Sequence, residues 1–218
     1  DLPDEATVAE LRAIASDNAM TFTVHLPLDL HLASGAPALT TASRVIESTA
    51  GLSPFGIVVH LEGEDPTGTE RRVSWMENAL RSLEVLTSMV DRTSRICVEN
   101  LETYPPEIIE TVLERTAVSC CIDVGHLWKQ GLDPVPFLAG WLHRTQIVHL
   151  HGVTHRDHKS LDVVPEENLD PVVDLLARRF EGVVTLEVFN ERDLLGSLDA
   201  FRRSQERVTG KPGLRGAP

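Results

Sequence analysis

The chain has 218 residues, 42% apolar and 24% charged, the balance of a globular protein rather than a disordered or fibrous one. Its formal charge of −13 argues against a general nucleic-acid or anionic-membrane surface, since either needs a basic face. No apolar run approaches the ~18 residues of a membrane span, and no secretory leader is expected from the sequence as it stands.

The predicted elements alternate from the start. Asp4 to Asn18 carries Val8, Leu11, Ile14 and Ala15 at helical spacing, and strand-like TFTVHLPL follows. Pro37 to Thr49 reads as a second amphipathic helix and GIVVHLEG as the next strand. A longer helix over about Gly68 to Thr93 places Val73, Met76, Leu80, Leu83, Leu86 and Val90 on one face. ICVENLE, a helix over about Pro106 to Arg115, and SCCIDVGH come next. A helix from about Pro134 to Leu142 leads into TQIVHLHG. His155 to Asp162 reads as a long polar loop, about Asp170 to Phe180 as a helix, GVVTLEVF as the last strand, and Arg192 to Arg207 as the last helix. The expected organisation is a single domain over residues 1–207 and a flexible tail over 208–218.

Six of the apolar segments end in residues able to bind a metal: His25, His60, Glu99, Asp123 with His126, His149 with His151, and Glu187. Carboxylates and imidazoles are costly in apolar strands, so one at the same end of every strand signals a built site. Side chains alternate faces along a strand. By that parity Thr23 and His25 share a face, as do Val58 and His60, Cys97 and Glu99, Cys121 and Asp123, His149 and His151, and Thr185 and Glu187. The opposite face is uniformly apolar: Val24, Val59, Val98, Ile122, Val148 and Leu186.

Alternating strands and helices imply βαβ units and a parallel α/β sheet. An open doubly wound sheet gathers functional residues at one switch point, whereas here every strand contributes one, as in a (β/α)8 TIM barrel. Six strands appear where such a barrel has eight, and the first element is a helix. The expectation is therefore strands three to eight, with the first two βα units, roughly 50–60 residues, missing. Such a barrel would leave two sheet edges exposed.

Histidine and carboxylate together suit Zn²⁺, Mn²⁺, Fe²⁺ or Co²⁺. Converging carboxylates without a cation would raise one another's pKa and resist burial. With this many donors, one to two ions are expected, or three if His158 ligates. Paired metals typically serve phosphate-ester hydrolysis. His25 or His60 taken alone would more often be a hydrogen-bonded core histidine. His31 and His143 read as surface residues, and His155, Asp157, His158 and Lys159 as either a solvated loop or part of a substrate site. Cys97, Cys120 and Cys121 form no Cys-x-x-Cys pair and read as reduced core thiols, which points to the cytoplasm.

At these residues the chain resembles the xylose-isomerase-like TIM barrels, the superfamily of endonuclease IV and of many sugar isomerases and epimerases. The resemblance implies that Glu99, Asp123, His149 and Glu187 form the single-metal set of the epimerases, where the two glutamates also act as acid and base. It implies that His25, His60 and His126 are the further ligands of endonuclease IV-type phosphodiesterases. His158, before Ser160-Leu161, is similar to a third-metal histidine, but Arg156 stands where the accompanying aspartate is expected, with Asp157 adjacent. His151 departs from the more usual Asn or Asp and is expected to contact substrate. The strings HLPLDL, HLEG, CVENLETY, CIDVGHL, VHLHGV, DHKSL and LEVF together resemble the cobamide-remodelling phosphodiesterases.

The expected function is a divalent-metal-dependent phosphodiester hydrolase opening the nucleotide loop of cobamides. Glu99, Glu187, His151 and Lys159 are the expected catalytic residues, and His25, His60, Glu99, Asp123, His126, His149, His158 and Glu187 the metal ligands. The alternatives are a single-metal sugar (phosphate) isomerase or epimerase, an endonuclease IV-like apurinic-site endonuclease, and a non-enzymatic protein on a decayed barrel. The partner is a small molecule, cobamide or sugar phosphate. No membrane is expected, and the charge disfavours nucleic acid.

Overall fold

Six strands are found where the sequence places six, in a computed structural model that describes residues 2–34, 36–64, 66 and 68–210. They are β1 (Thr23–His25), β2 (Gly56–Val59), β3 (Ile96–Glu99), β4 (Ser119–Asp123), β5 (Thr145–Leu150) and β6 (Val183–Leu186), and their order in the sheet is their order in the chain. The helices are α1 (Glu5–Asp17), α2 (Ala36–Thr49), α3 (Thr69–Ser88), α4 (Glu107–Arg115), α5 (Val124–Lys129), α6 (Pro134–Trp141), α7 (Glu166–Arg179) and α8 (Glu191–Thr209).

The chain divides into two compact units. The first comprises residues 1–99 and 105–120, the second residues 100–104 and 121–218. In the first, β1 pairs with β2 and β2 with β3, both parallel, with His25 level with Val58 and Val58 level with Cys97. His60 and Glu99 each lie two residues further along, so the three polar tips share a face, as strand parity requires. Val59 and Val98 on the other face are fully buried. In the second unit β5 and β6 are parallel with His149 level with Thr185, so His149, His151, Thr185 and Glu187 share a face. Every residue of β2 and β3 is buried, whereas all four of β6, including Leu186, are only half-buried.

Several element boundaries differ from expectation: α3 ends at Ser88, five residues short of the expected Thr93, so Val90 lies beyond it. The sequence reading leaves His126 in a loop, but α5 begins directly after β4, with the Asp123 side chain accepting from the His126 N–H as its N-cap. At 6 residues this helix is too short to show a period. Helix α7 starts at Glu166 rather than Asp170, and Pro171 lies inside it. Its first turn holds Glu166 and Glu167, which favour the positive end of the helix dipole. Helix α8 runs to Thr209, past the expected boundary at 207, and residues 211–218 of the expected tail lie outside the described residues.

Candidate metal centres

In the first unit, His25 and His60 converge on one carboxylate. Their Nε2 atoms lie 3.1 and 2.9 Å from the same oxygen, Oε2 of Glu99. The rings meet edge to face with centroids 4.9 Å apart. Glu99 is 1% exposed, so its charge has almost no water to stabilise it. His25 Nδ1 lies 2.7 Å from the carbonyl oxygen of Leu26, which can only accept. Nδ1 therefore carries the hydrogen, and a neutral His25 turns the Nε2 lone pair toward the carboxylate. Two lone pairs at that distance repel unless a proton or a cation stands between them. The backbone carbonyl thus fixes the tautomer as it does in metal-ligating histidines. His60 Nδ1 is buried and has no hydrogen-bond partner among the described residues. The donor set His25, His60 and Glu99 fits a divalent cation.

The second unit holds a larger cluster. Asn100 clamps Asp123: its Oδ1 accepts from the Asp123 N–H at 2.8 Å and its Nδ2 donates to the Asp123 carbonyl at 2.9 Å. Asp123 is fully buried, and its Oδ1 accepts from the His126 N–H at 2.7 Å. Its Oδ2 lies 3.9 Å from Nδ1 of His149, and that nitrogen lies 2.8 Å from Oε2 of Glu187. Asp123, His149 and Glu187 therefore bring three donors together, with Glu187 20% exposed and the other two buried.

His151 is fully buried, with both nitrogens engaged. Nδ1 faces both the His158 N–H, which donates to it at 3.0 Å, and the Gly152 carbonyl oxygen at 3.2 Å; the shorter contact makes Nδ1 the acceptor and leaves the hydrogen on Nε2. Nε2 then donates to the Asp123 carboxylate at 3.2 Å. Burial disfavours the imidazolium, but the hydrogen bond and charge of Asp123 outweigh it and raise the His151 pKa above the usual histidine value. Gly125 is required by this ring: a Cβ there would overlap the imidazole.

The polar loop is pinned rather than free. Gly152 and Lys159 form an antiparallel bridge, and His158 takes a left-handed φ of 52° that stacks its ring on His151, centroids 4.3 Å apart. Phe189, 76% exposed, also stacks on His158, centroids 4.8 Å apart.

His126 donates from Nδ1 to the Asn100 carbonyl at 2.9 Å and turns Nε2 toward Glu102 Oε2 at 3.3 Å. Lys129 bonds Glu102 Oε1 at 3.0 Å and also bonds Asp157, whose other oxygen lies 3.2 Å from His158 Nδ1. Burial pushes the two carboxylates up, but Lys129 and the histidines outweigh it and hold both below their usual values. The bond to Asp157, followed by the Glu102 contact, raises Lys129. A cleft of about 760 Å³ opens beside Lys129, walled by Trp128, Leu132, Val135, Val153 and Pro165.

Every strand-tip residue singled out in the sequence thus joins one of two clusters. Of Lys159, only the backbone is tied to the second cluster, through its bridge to Gly152. His31 is 63% exposed and His143 stacks on Trp141 outside both clusters, as expected of surface residues. Asn100, Glu102, Gly125, Lys129 and Phe189 were not foreseen. Asn100 and Glu102 follow Glu99 within the ENLE string, and Gly125 lies between Asp123 and His126, so proximity to a strand tip was the only available signal.

The family model described as xylose isomerase-like TIM barrel matches residues 1–209. A D-tagatose 3-epimerase-like protein superposes with a TM-score of 0.80 at 20% identity, covering 95% of this chain and 85% of that one. Endonuclease IV from Thermus thermophilus superposes at 0.66 with 21% identity, covering 95% and 84%. Another protein from Thermus thermophilus, soaked with ZnCl2, gives 0.66 at 26% identity over 93% and 84%. A search of curated proteins finds no significant match. No described helix is long and apolar enough to cross a membrane.

Proposed function

Because the chain belongs to the xylose isomerase-like TIM-barrel family, we propose that it is a divalent-metal-dependent phosphodiester hydrolase acting on a small nucleotide-like molecule. The observation that carries this reading is the His25–His60–Glu99 triad, a complete donor set in addition to Asp123, His149 and Glu187. Two donor sets in one chain call for more than one ion, and multi-metal chemistry is characteristic of phosphate-ester hydrolysis.

The cation, when bound, supplies Lewis acidity toward the phosphate oxygens and toward water. The protein's own groups do the rest. Asn100 and His151 fix Asp123 from its backbone and from its carboxylate. Glu187 is the more accessible of the two strand-tip glutamates, at 20% exposed against 1% for Glu99, and is the group proposed to take the proton from water. Lys159 is proposed to neutralise phosphate charge, since Lys129 is already committed to two carboxylates. The cleft beside Lys129 falls within the size range of cofactor sites and suits a substrate with an apolar body. The proposed substrate is the nucleotide-loop phosphodiester of a cobamide, on the strength of the motif strings. The proposed compartment is the cytoplasm, since Cys97, Cys120 and Cys121 are buried core side chains with no Cys-x-x-Cys spacing among them.

Incubating the chain with a cobamide and Mn²⁺, Zn²⁺, Fe²⁺ or Co²⁺, with products followed by mass, tests this. Cleavage of the loop is expected, and intact cobamide with all four metals refutes the substrate.

A second reading, a single-metal sugar epimerase, draws on the superposition with the D-tagatose 3-epimerase-like protein. Glu99 and Glu187 would then move a proton beside a carbonyl. Isomerisation of ketoses by the one-metal protein would favour it.

A further inference from the structure

His126, His151 and His158 gather ligand atoms closely enough to suggest a metal site of their own. The hydrogen bonds argue otherwise. His151 is engaged at both nitrogens, with Nδ1 against the His158 N–H and the Gly152 carbonyl and Nε2 against the Asp123 carboxylate, so it is committed within the protein. That leaves His126 and His158, each facing a carboxylate: Nε2 of His126 lies 3.3 Å from Glu102, and Nδ1 of His158 lies 3.2 Å from Asp157. Two imidazoles and two carboxylates are the donors that a divalent cation takes. In this chain the ammonium of Lys129 bonds both carboxylates at once, through the oxygens that do not face the histidines.

We propose that Lys129 is a built-in cation standing in for a metal ion at a latent site formed by Glu102, His126, Asp157 and His158. Two carboxylates brought this close repel and resist ionisation unless a positive charge lies between them. A lysine supplies that charge without coordination demands. While it is held there, each carboxylate has one oxygen engaged and the charge requirement of the pair is partly met, so a further cation gains little. The chain is thereby restricted to the metals held by the other two donor sets. Lys129 is a positioning residue: it orders Glu102 and Asp157, and through them the rings of His126 and His158. The inference rests on the metal reading above only in fixing how many ions the chain holds.

The test counts metal in the full chain after Zn²⁺ loading and desalting, by plasma mass spectrometry. Lys129→Met is expected to retain one equivalent more than the unaltered chain. The gain is expected to vanish in Lys129→Met/His158→Ala and to be absent in Lys129→Arg, which keeps a cation. Zn²⁺ should raise the melting temperature of Lys129→Met by more than that of the unaltered chain, a readout independent of activity. An unchanged count in folded Lys129→Met overturns the inference. So does the loss of one equivalent in His158→Ala alone, because a metal would then already occupy the site. If the unaltered chain binds no zinc at all, the proposed function fails, while the difference between it and Lys129→Met still decides this point.

Discussion

The side-chain amide of Asn100 bonds both backbone groups of Asp123, at 2.8 and 2.9 Å, and its own backbone carbonyl accepts from Nδ1 of His126 at 2.9 Å. One buried residue therefore sets the position of a carboxylate and the tautomer of a histidine, and the short helix α5 carries the geometry from one to the other. Replacing Asn100 with Ala leaves a buried N–H and a buried C=O unsatisfied, at about 1–3 kcal/mol each. Asn100→Ala is expected to lower unfolding stability by about 2–6 kcal/mol in urea titrations. A loss below the resolution of the titration would show that Asp123 is held by something else.

Gly125 admits no side chain, because a Cβ would enter the His151 ring, which is backed by the ring of His158. Gly125→Ala should cost about 1–3 kcal/mol by overpacking and weaken metal retention together with stability. Calorimetry and metal analysis on the same sample check this. An Ala variant as stable as the parent would mean that His151 adopts another rotamer at no cost.

Asp170 ties α7 to α8. Its carboxylate accepts from the buried Ser204 hydroxyl at 2.6 Å and from Arg207 at 2.7 and 2.8 Å. The Arg207 hydrogen bonds, against a smaller opposing effect of burial and with help from Ser204, lower its pKa. A carboxylate depressed in the folded state contributes stability that is complete above the usual carboxylate pKa and is lost as pH falls through the folded value. Asp170→Asn should thus be less stable than the parent at neutral pH, by about 1 kcal/mol. The gap should close in acid, below the usual carboxylate range. Denaturation at a series of pH values measures it, and a gap that persists in strong acid refutes the assignment.

Chelation of a loaded sample should destabilise it. A ligand at 100 times its Kd adds about 2.7 kcal/mol, which for a chain of this size is about 5–10 °C in Tm. Scanning calorimetry before and after removal of divalent cations, and again after their return, checks this. A Tm that does not respond would count against both donor sets.

Much of the site was legible because a strand has a period of two. His25, His60, Glu99, His149 and Glu187 occupy strand tips in a fixed parity, and the register between neighbouring strands keeps that parity within each unit. What was not legible depends on partners distant in the chain. Lys129 meets Asp157 only after α6 and β5 have intervened. The Gly152–Lys159 bridge that turns His158 onto His151 has no sequence period at all. Placement of α5 failed for a local reason, since Val-Gly-His offers little helix propensity and the element is made by the Asp123 cap. Helix α7 begins four residues before the expected Asp170 and continues through Pro171, although a proline inside a helix costs a hydrogen bond.

The most direct test of multi-metal hydrolysis is a titration of metal-free protein with Zn²⁺ or Mn²⁺ while phosphodiester cleavage of a cobamide is followed by mass. Cleavage should stay low at the first equivalent, rise with the second, and fall by at least two orders of magnitude in His25→Ala/His60→Ala. Full activity at one equivalent that survives this double substitution, or isomerisation of a sugar without any phosphodiester cleavage, would contradict it.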